Sequence, residues 1–294
     1  ASPRSLGMVP PRPTADERPI ADERPIADER PIAMFDSGFG GLTVARALID
    51  LLPDEHLVYF GDTGRYPYGP RAHDEVAGFA HQISRWLVDE HDPKLIVVAC
   101  NTASAVALDG LAAAVDVPVI GVLEPGARSL VTATTTGRVG VIGTVGTVAS
   151  GAYQQLVADF APGVELTCAA CPGFVEFVER GETATDQVHV LAERLLAPVL
   201  DAKVDSLLLG CTHYPFLART IGAVMGRDVV LVSSADETAF EVRRVLEASG
   251  AGRCGGGPAV RRFVSSGDAA WFATLGRQLL GPELDHVDAH EWAV

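Results

Sequence analysis

Leu95-Ile96-Val97-Val98-Ala99-Cys100-Asn101-Thr102-Ala103-Ser104 and Ser206-Leu207-Leu208-Leu209-Gly210-Cys211-Thr212-His213-Tyr214-Pro215 are two versions of one pattern. Each is a short apolar run, then a cysteine, then small hydrogen-bonding residues, then helical periodicity. An apolar run of this length bounded by turn residues suits a strand buried on both faces. The cysteine then falls where strand gives way to helix, and open α/β sheets bind ligands at the carboxyl ends of their strands. The sequence therefore places two thiols at ligand-facing positions, each beside a helix N-terminus.

The same alternation runs outward in both directions. Strand Ile32–Phe35 leads through Asp36-Ser37-Gly38-Phe39-Gly40-Gly41 into a helix whose Leu42, Val44, Ala45, Leu48, Ile49 and Leu52 share one face. Strand Leu57–Phe60 leads to a loop, Thr63–Pro70, whose Arg65, Tyr66, Tyr68, glycines and prolines suit binding. Helix Asp74–His91 follows, then the first cysteine unit and strand Val119–Val122. Helix Gly126–Thr134, strand Arg138–Ile142, a helix opened by Gly143-Thr144-Val145-Gly146-Thr147 and running to about Phe160, strand Val164–Cys168, a short helix to Glu179 and helix Asp186–Leu200 come next. Beyond the second cysteine unit the pattern predicts a helix from Phe216, strand Val229–Val232, and a helix to Ala248 capped by Ser234 or Asp236. A flexible Gly250–Pro258 loop, strand Val260–Ser265 and helix Asp268–Leu280 complete it. Strands alternating with helices imply α/β layers, here two pseudo-symmetric α/β halves with mostly parallel sheets facing one cleft.

Composition narrows the function. A 294-residue chain with 48% hydrophobic residues can bury a sizeable core. Its net charge of −15 argues against nucleic acid as a direct ligand. No apolar run approaches the roughly 18 residues of a membrane span, and no signal-peptide core opens the chain. Five cysteines are too few for a disulfide framework at this length, so a cytoplasmic, reduced setting is expected. Residues 1–31 read as a disordered tail containing three copies of Ala-Asp-Glu-Arg-Pro-Ile, at Ala15–Ile20, Ala21–Ile26 and Ala27–Ile32, with Met8 as the original start.

A single cysteine after a strand is ordinarily core. Two in matched contexts have a clear use, because inverting a Cα centre needs a base on one face and an acid on the other. The pair must hold one thiolate and one thiol and titrates as a coupled unit. A free thiol needs about 2 kcal/mol to ionise at pH 7, and a helix N-terminus supplies about 0.3–1 kcal/mol. A polar partner is therefore needed. His213 follows Cys211 by two residues and Asp36 ends a neighbouring strand, so either can hydrogen-bond a thiol or relay its proton. Backbone N–H groups after Ser37, Asn101 and Thr212 suit carboxylates. Neutral donors fit here, since a cation would hold both thiols ionised.

Other motifs are weaker. Cys168-x-x-Cys171 has no matching second pair, so no metal site is expected and Cys168 reads as core; Cys254 has no partner. Gly38-Phe39-Gly40-Gly41 with Asp62 raises a dinucleotide site, but Thr43 stands at the third glycine position and Asp36 would oppose a pyrophosphate.

Four segments together resemble the glutamate racemase family: Asp36-Ser37-Gly38-x-Gly40-Gly41-Leu42-Thr43-Val44, Gly61-Asp62-Thr63-x-Arg65-x-Pro67-Tyr68-Gly69, Cys100-Asn101-Thr102-Ala103-Ser104 and Gly210-Cys211-Thr212-His213-Tyr214-Pro215. Gly64, where alanine is usual, is a departure. The resemblance runs from Pro31 to about Leu280 and implies a cofactor-independent enzyme interconverting L- and D-glutamate for peptidoglycan. It implies that Cys100 takes the α-proton from D-glutamate and Cys211 from L-glutamate, assisted by Asp36, His213 and Glu179. It implies substrate contacts from Asp36, Ser37, Tyr68, Gly69, Asn101, Thr102, Thr212 and His213. It also implies one domain of residues 32–123 plus 234–294, a second of 124–233, a homodimer, and possible restraint of DNA gyrase. An aspartate racemase of the same superfamily, and a binding or regulatory protein on the same scaffold, are the competing expectations.

Overall fold

The computed structural model describes residues 28–292. The first two Ala-Asp-Glu-Arg-Pro-Ile copies and Met8 lie outside them. Strand β1 (Ile32–Asp36) is buried along its whole length, as the middle of a parallel sheet requires. Then follow α1 (Leu42–Leu51), β2 (Leu57–Gly61), α2 (His73–His91), β3 (Leu95–Val98), α3 (Asn101–Ala114) and β4 (Val119–Gly121). The middle of the chain forms α4 (Leu123–Ala133), β5 (Arg138–Gly143), α5 (Val145–Ala149), α6 (Ala152–Phe160), β6 (Glu165–Ala170), α7 (Phe174–Glu179), α8 (Asp186–Asp201), β7 (Ser206–Gly210), α9 (Ala218–Met225) and β8 (Val230–Val232). Last come α10 (Ser234–Ser249), β9 (Arg261–Ser265), α11 (Ala269–Leu280) and β10 (Asp288–Ala289).

Among the described residues these strands form two sheets, ordered β10-β9-β2-β1-β3-β4 and β6-β5-β7-β8. Every strand pair is parallel. The run β2-β1-β3-β4 repeats as β6-β5-β7-β8, so the two cysteine-bearing strands, β3 and β7, hold the same place in each sheet. After β8 the chain returns, and β9 and β10 extend the first sheet. Helix α10 packs against both α1 and α4. No described helix is long and apolar enough to cross a membrane.

Several boundaries differ from expectation for local reasons. The expected helix Gly126–Thr134 begins at Leu123 and carries Pro125 in its first turn, where the missing N–H costs nothing. The expected helix to Phe160 is broken because Gly151 takes a left-handed conformation, φ 73°, and opens α6 afresh. The helix expected from Phe216 is a 3-10 turn, Tyr214–Leu217, ahead of α9. Ser233, not Ser234 or Asp236, caps α10, accepting the Ala235 N–H at 3.3 Å. Strand β10 escapes the sequence reading because two residues carry no periodicity.

The Gly250–Pro258 loop, expected to be flexible, is tied to its surroundings at Ala251 and Arg253. Arg253 donates its backbone N–H to Glu55 (2.8 Å) and its Nε to Glu29 (2.7 Å). Glu55 is also ion-paired with Lys94, whose side chain is fully buried and donates to the carbonyls of Asp28 (3.0 Å) and Ala251 (3.0 Å). One ammonium thus ties together the approach to β1, the α1–β2 loop, the start of β3 and the glycine-rich loop. Removing one partner of a buried pair strands the other charge, at a cost of about 3–5 kcal/mol. Lys94→Met is expected to lower unfolding free energy by about that amount in urea titration, with turnover of the folded fraction unchanged.

Candidate active site

Strand register brings the site together. Phe35 pairs with Val98, and continuing two places sets Ser37 beside Cys100. Gly143 pairs with Gly210, and one place further sets Thr144 beside Cys211. Ser37 and Thr144 are therefore equivalents in the two halves. Internal comparison of the halves is the signal that would have found Thr144.

Both thiols line one cavity. Its walls include Ser37, Tyr66, Tyr68, Gly69, Asn101, Thr102, Thr144, Thr212 and His213. Among the described residues, neither lysine nor arginine lines it. The thiols are buried, and burial pushes Cys100 up to about 12. Asp36 adds to this rise, while the Ala103 N–H and the Ser37 hydroxyl oppose it. Cys211 is likewise pushed well up by burial, opposed by the His213 and Tyr214 N–H groups. The helix-terminal amides thus act as expected, but desolvation outweighs them.

Asp36 lies behind the cavity wall, fully buried. Its Oδ2 accepts the Gly38 N–H (3.0 Å) and its Oδ1 the Thr212 hydroxyl (3.3 Å). The amide after Ser37 is therefore committed to Asp36 and is not free for a carboxylate, contrary to expectation. Of the three expected anion-binding helix starts, only α3 begins directly after its cysteine. The 37–41 turn precedes α1, and the 3-10 turn precedes α9.

His213 sits between rings. Phe39 meets it edge-on at 4.9 Å and Tyr66 stacks on it at 6.0 Å. Its Nε2 is 3.5 Å from Glu179 Oε1 at the end of α7. Glu179 is not on the cavity wall; Glu176, one helical turn earlier, is. Tyr68 lines the cavity, but its hydroxyl is given to Asp62, leaving its ring and backbone for a ligand. Asp62 also accepts from Arg65 (2.7 Å), Ser266 (2.6 Å) and Trp292 (3.2 Å). A carboxylate so occupied braces the 63–70 loop and has no capacity left for a ribose.

Contacts across the two sheets complete the cleft. Tyr153 donates to Asn101 Oδ1 at 2.7 Å, leaving the Asn101 Nδ2 a buried donor without a partner among the described residues. The Thr102 hydroxyl meets those of Thr144 (3.0 Å) and Thr147 (3.1 Å). Gly146 N–H donates to Gly69 O at 2.8 Å. Tyr153 and Thr147 escape sequence reasoning because their partners belong to the other half. Cys171 lines the cavity, Cys168 is half-buried on β6, and Cys254 is exposed.

Comparison with known proteins agrees with this geometry. A family model described as Asp/Glu/Hydantoin racemase matches residues 42–241. A glutamate racemase of Acidothermus cellulolyticus is 50% identical over 255 residues, covering 86% of this chain and 96% of the relative. A crystal structure of a Bacillus anthracis glutamate racemase isoform superposes with a TM-score of 0.85 at 37% identity, covering 91% of this chain and 98% of that one. The Francisella tularensis glutamate racemase in complex with D-glutamate gives 0.84 at 32%, covering 90% and 98%. With two matched halves, a thiol at the same strand end in each, and relatives this similar over nearly their whole length, the chain belongs to the Asp/Glu/hydantoin racemase family, among its glutamate racemases.

Proposed function

We propose that this chain interconverts L- and D-glutamate without a cofactor, by passing the α-proton between Cys100 and Cys211. The observation that carries the reading is two buried thiols on matched strand ends of one cavity that, among the described residues, no lysine or arginine lines. With D-glutamate bound, the Cys100 thiolate takes the α-proton while the Cys211 thiol returns one to the opposite face. L-Glutamate leaves behind a Cys100 thiol and a Cys211 thiolate, and the reverse reaction exchanges the roles. Ser37 and Asn101 offer neutral side-chain donors for the substrate carboxylates and Thr212 its backbone N–H, so charge developing at Cα meets hydrogen bonds already in place. Thr102, Tyr68 and Gly69 line the same cavity. Asp36 serves Cys100, and the His213–Glu179 pair serves Cys211 as proton relays.

Two domains, residues 32–123 with 234–294 and residues 124–233, closing on the substrate is the motion this reading requires. A homodimer, a cytoplasmic setting and D-glutamate supply for peptidoglycan belong to the same reading. The test is purified protein with L-glutamate in D₂O and no added cofactor. Loss of optical activity with deuterium entering Cα supports it. Inversion of aspartate but not glutamate would replace the substrate. Inertness of folded, reduced protein toward both would leave a binding protein.

The raised thiol pKa fixes the sign of the pH dependence. A raised pKa means the thiolate forms only at higher pH, and its fraction below that pKa grows about tenfold per unit. Alkylation of the free protein by iodoacetamide at Cys100 is expected to be slow at pH 7 and to accelerate about tenfold per unit up to pH 9. Mass spectrometry of the alkylated peptides checks this. A rate already flat at pH 7 would mean that the free site holds a thiolate.

A further inference from the structure

The 63–70 loop carries two tyrosines, both on the cavity wall, whose hydroxyls are placed differently. Tyr68, the expected ligand contact, gives its hydroxyl to Asp62. Tyr66 keeps its own hydroxyl buried and without a partner among the described residues, on the cavity wall. The residue before it is firmly held: Arg65 donates to Asp62 (2.7 Å) and Gln82 (2.6 Å) and lies between the rings of Phe79 (4.2 Å) and Trp292 (4.4 Å). Tyr66 is thus presented from a rigid mount rather than from a loose loop.

Its ring stacks on His213 with planes 30° apart, while Phe39 meets the other part of the imidazole edge-on. Gly38 makes room: a Cβ there would come 3.3 Å from Tyr66 Cδ2. Tyr66 Oη, His213 Nε2 and Glu179 Oε1 are three buried polar atoms, none hydrogen-bonded within the described residues. Glu179 lies close enough that its charge, after burial, helps push the phenol far above its ordinary range. The hydroxyl is therefore a neutral donor at any working pH. The stacked ring fixes the plane in which His213 presents Nε2 to Glu179.

From this geometry we infer that Tyr66 is a positioning residue for the His213–Glu179 pair, and through that pair for proton transfer at Cys211 rather than at Cys100. The inference rests on the proposed two-thiol reading. It has a directional signature. L- and D-glutamate have equal free energies, so kcat/KM is the same in both directions for any variant and cannot separate the thiols. Isotope effects can. α-Deuterated L-glutamate reports the Cys211 step, and α-deuterated D-glutamate reports the Cys100 step.

The test compares the parent with Tyr66→Leu, which fills the space without a ring, and Tyr66→Phe, which keeps the stack. Tyr66→Leu is expected to lower kcat about tenfold with KM within about threefold. Its isotope effect should rise with deuterated L-glutamate and fall with deuterated D-glutamate, as the Cys211 step becomes limiting. Tyr66→Phe should recover most of the lost kcat. A Tyr66→Leu variant with parental kcat, or with both isotope effects moved alike, would overturn the inference while leaving the two-thiol reading intact. A parent enzyme that exchanges no α-proton would instead overturn the reading beneath it. If Tyr66→Leu does not fold, Tyr66→Met is assayed in its place against the same criteria.

Discussion

Replacing either Cys100 or Cys211 by alanine is expected to abolish racemisation, lowering kcat by about 10⁴-fold. Each thiol serves one face of Cα, and the other thiol sits across the cavity on a different sheet. Alanine leaves that face with neither base nor acid. The loss is symmetrical in direction, because removing a proton on one face is the reverse of delivering it there. The two variants still differ in one partial reaction. Cys211→Ala keeps the group that faces the α-proton of D-glutamate, so it can exchange that proton with solvent without inverting the centre. Cys100→Ala keeps the corresponding exchange for L-glutamate. Proton NMR in D₂O follows the exchange, and polarimetry follows inversion. Both side chains are small and buried, so the fold is expected to survive, which circular dichroism checks. Normal turnover in either variant would sink the mechanism.

The second large effect comes from a residue with no side chain. A Cβ on Gly40 would stand 2.5 Å from His213 Nδ1 and 2.6 Å from Thr212 Oγ1. Neither separation is tolerable, so Gly40→Ala must displace the imidazole and the hydroxyl together. Displacement of a reacting group by about 1 Å costs about 10²-fold in rate, and this is the expected fall in kcat. Gly78→Ala is the control: nothing lies within 4 Å of the new Cβ, and the site lies within α2. It is expected to retain activity and to gain roughly 0.5–1 kcal/mol of stability. Parental kcat in Gly40→Ala would show that His213 is not held where the rings and Glu179 place it.

Gly40 also shows why the glycine-rich turn misleads when read locally. Glycines after a strand and before a helix suggest a phosphate cradle. Here they admit close side chains instead: Gly40 faces His213 and Thr212 from the other half of the chain, and Gly41 lies against Asp36 and Tyr59 of its own half. Asp62 misleads in the same way. It ends its strand where a ribose-binding acid would stand, yet it is spent on Arg65, Tyr68, Ser266 and Trp292.

The amino-acid sequence alone determined the alternating strands and helices, the repeat of one strand–cysteine–helix unit, and the placing of Cys100 and Cys211 at strand ends. Those features are local: hydrophobic period, capping and turn chemistry are written within a few residues of where they act. Tertiary structure alone decided that Tyr66 rather than Tyr68 keeps a hydroxyl without a partner among the described residues and that Tyr153 orients Asn101 from 52 residues away. It alone decided that Thr212 reaches back 176 residues to Asp36, and that desolvation outweighs the helix-terminal amides at both thiols. These depend on which groups meet once two sheets close on each other, and on how completely water is excluded there.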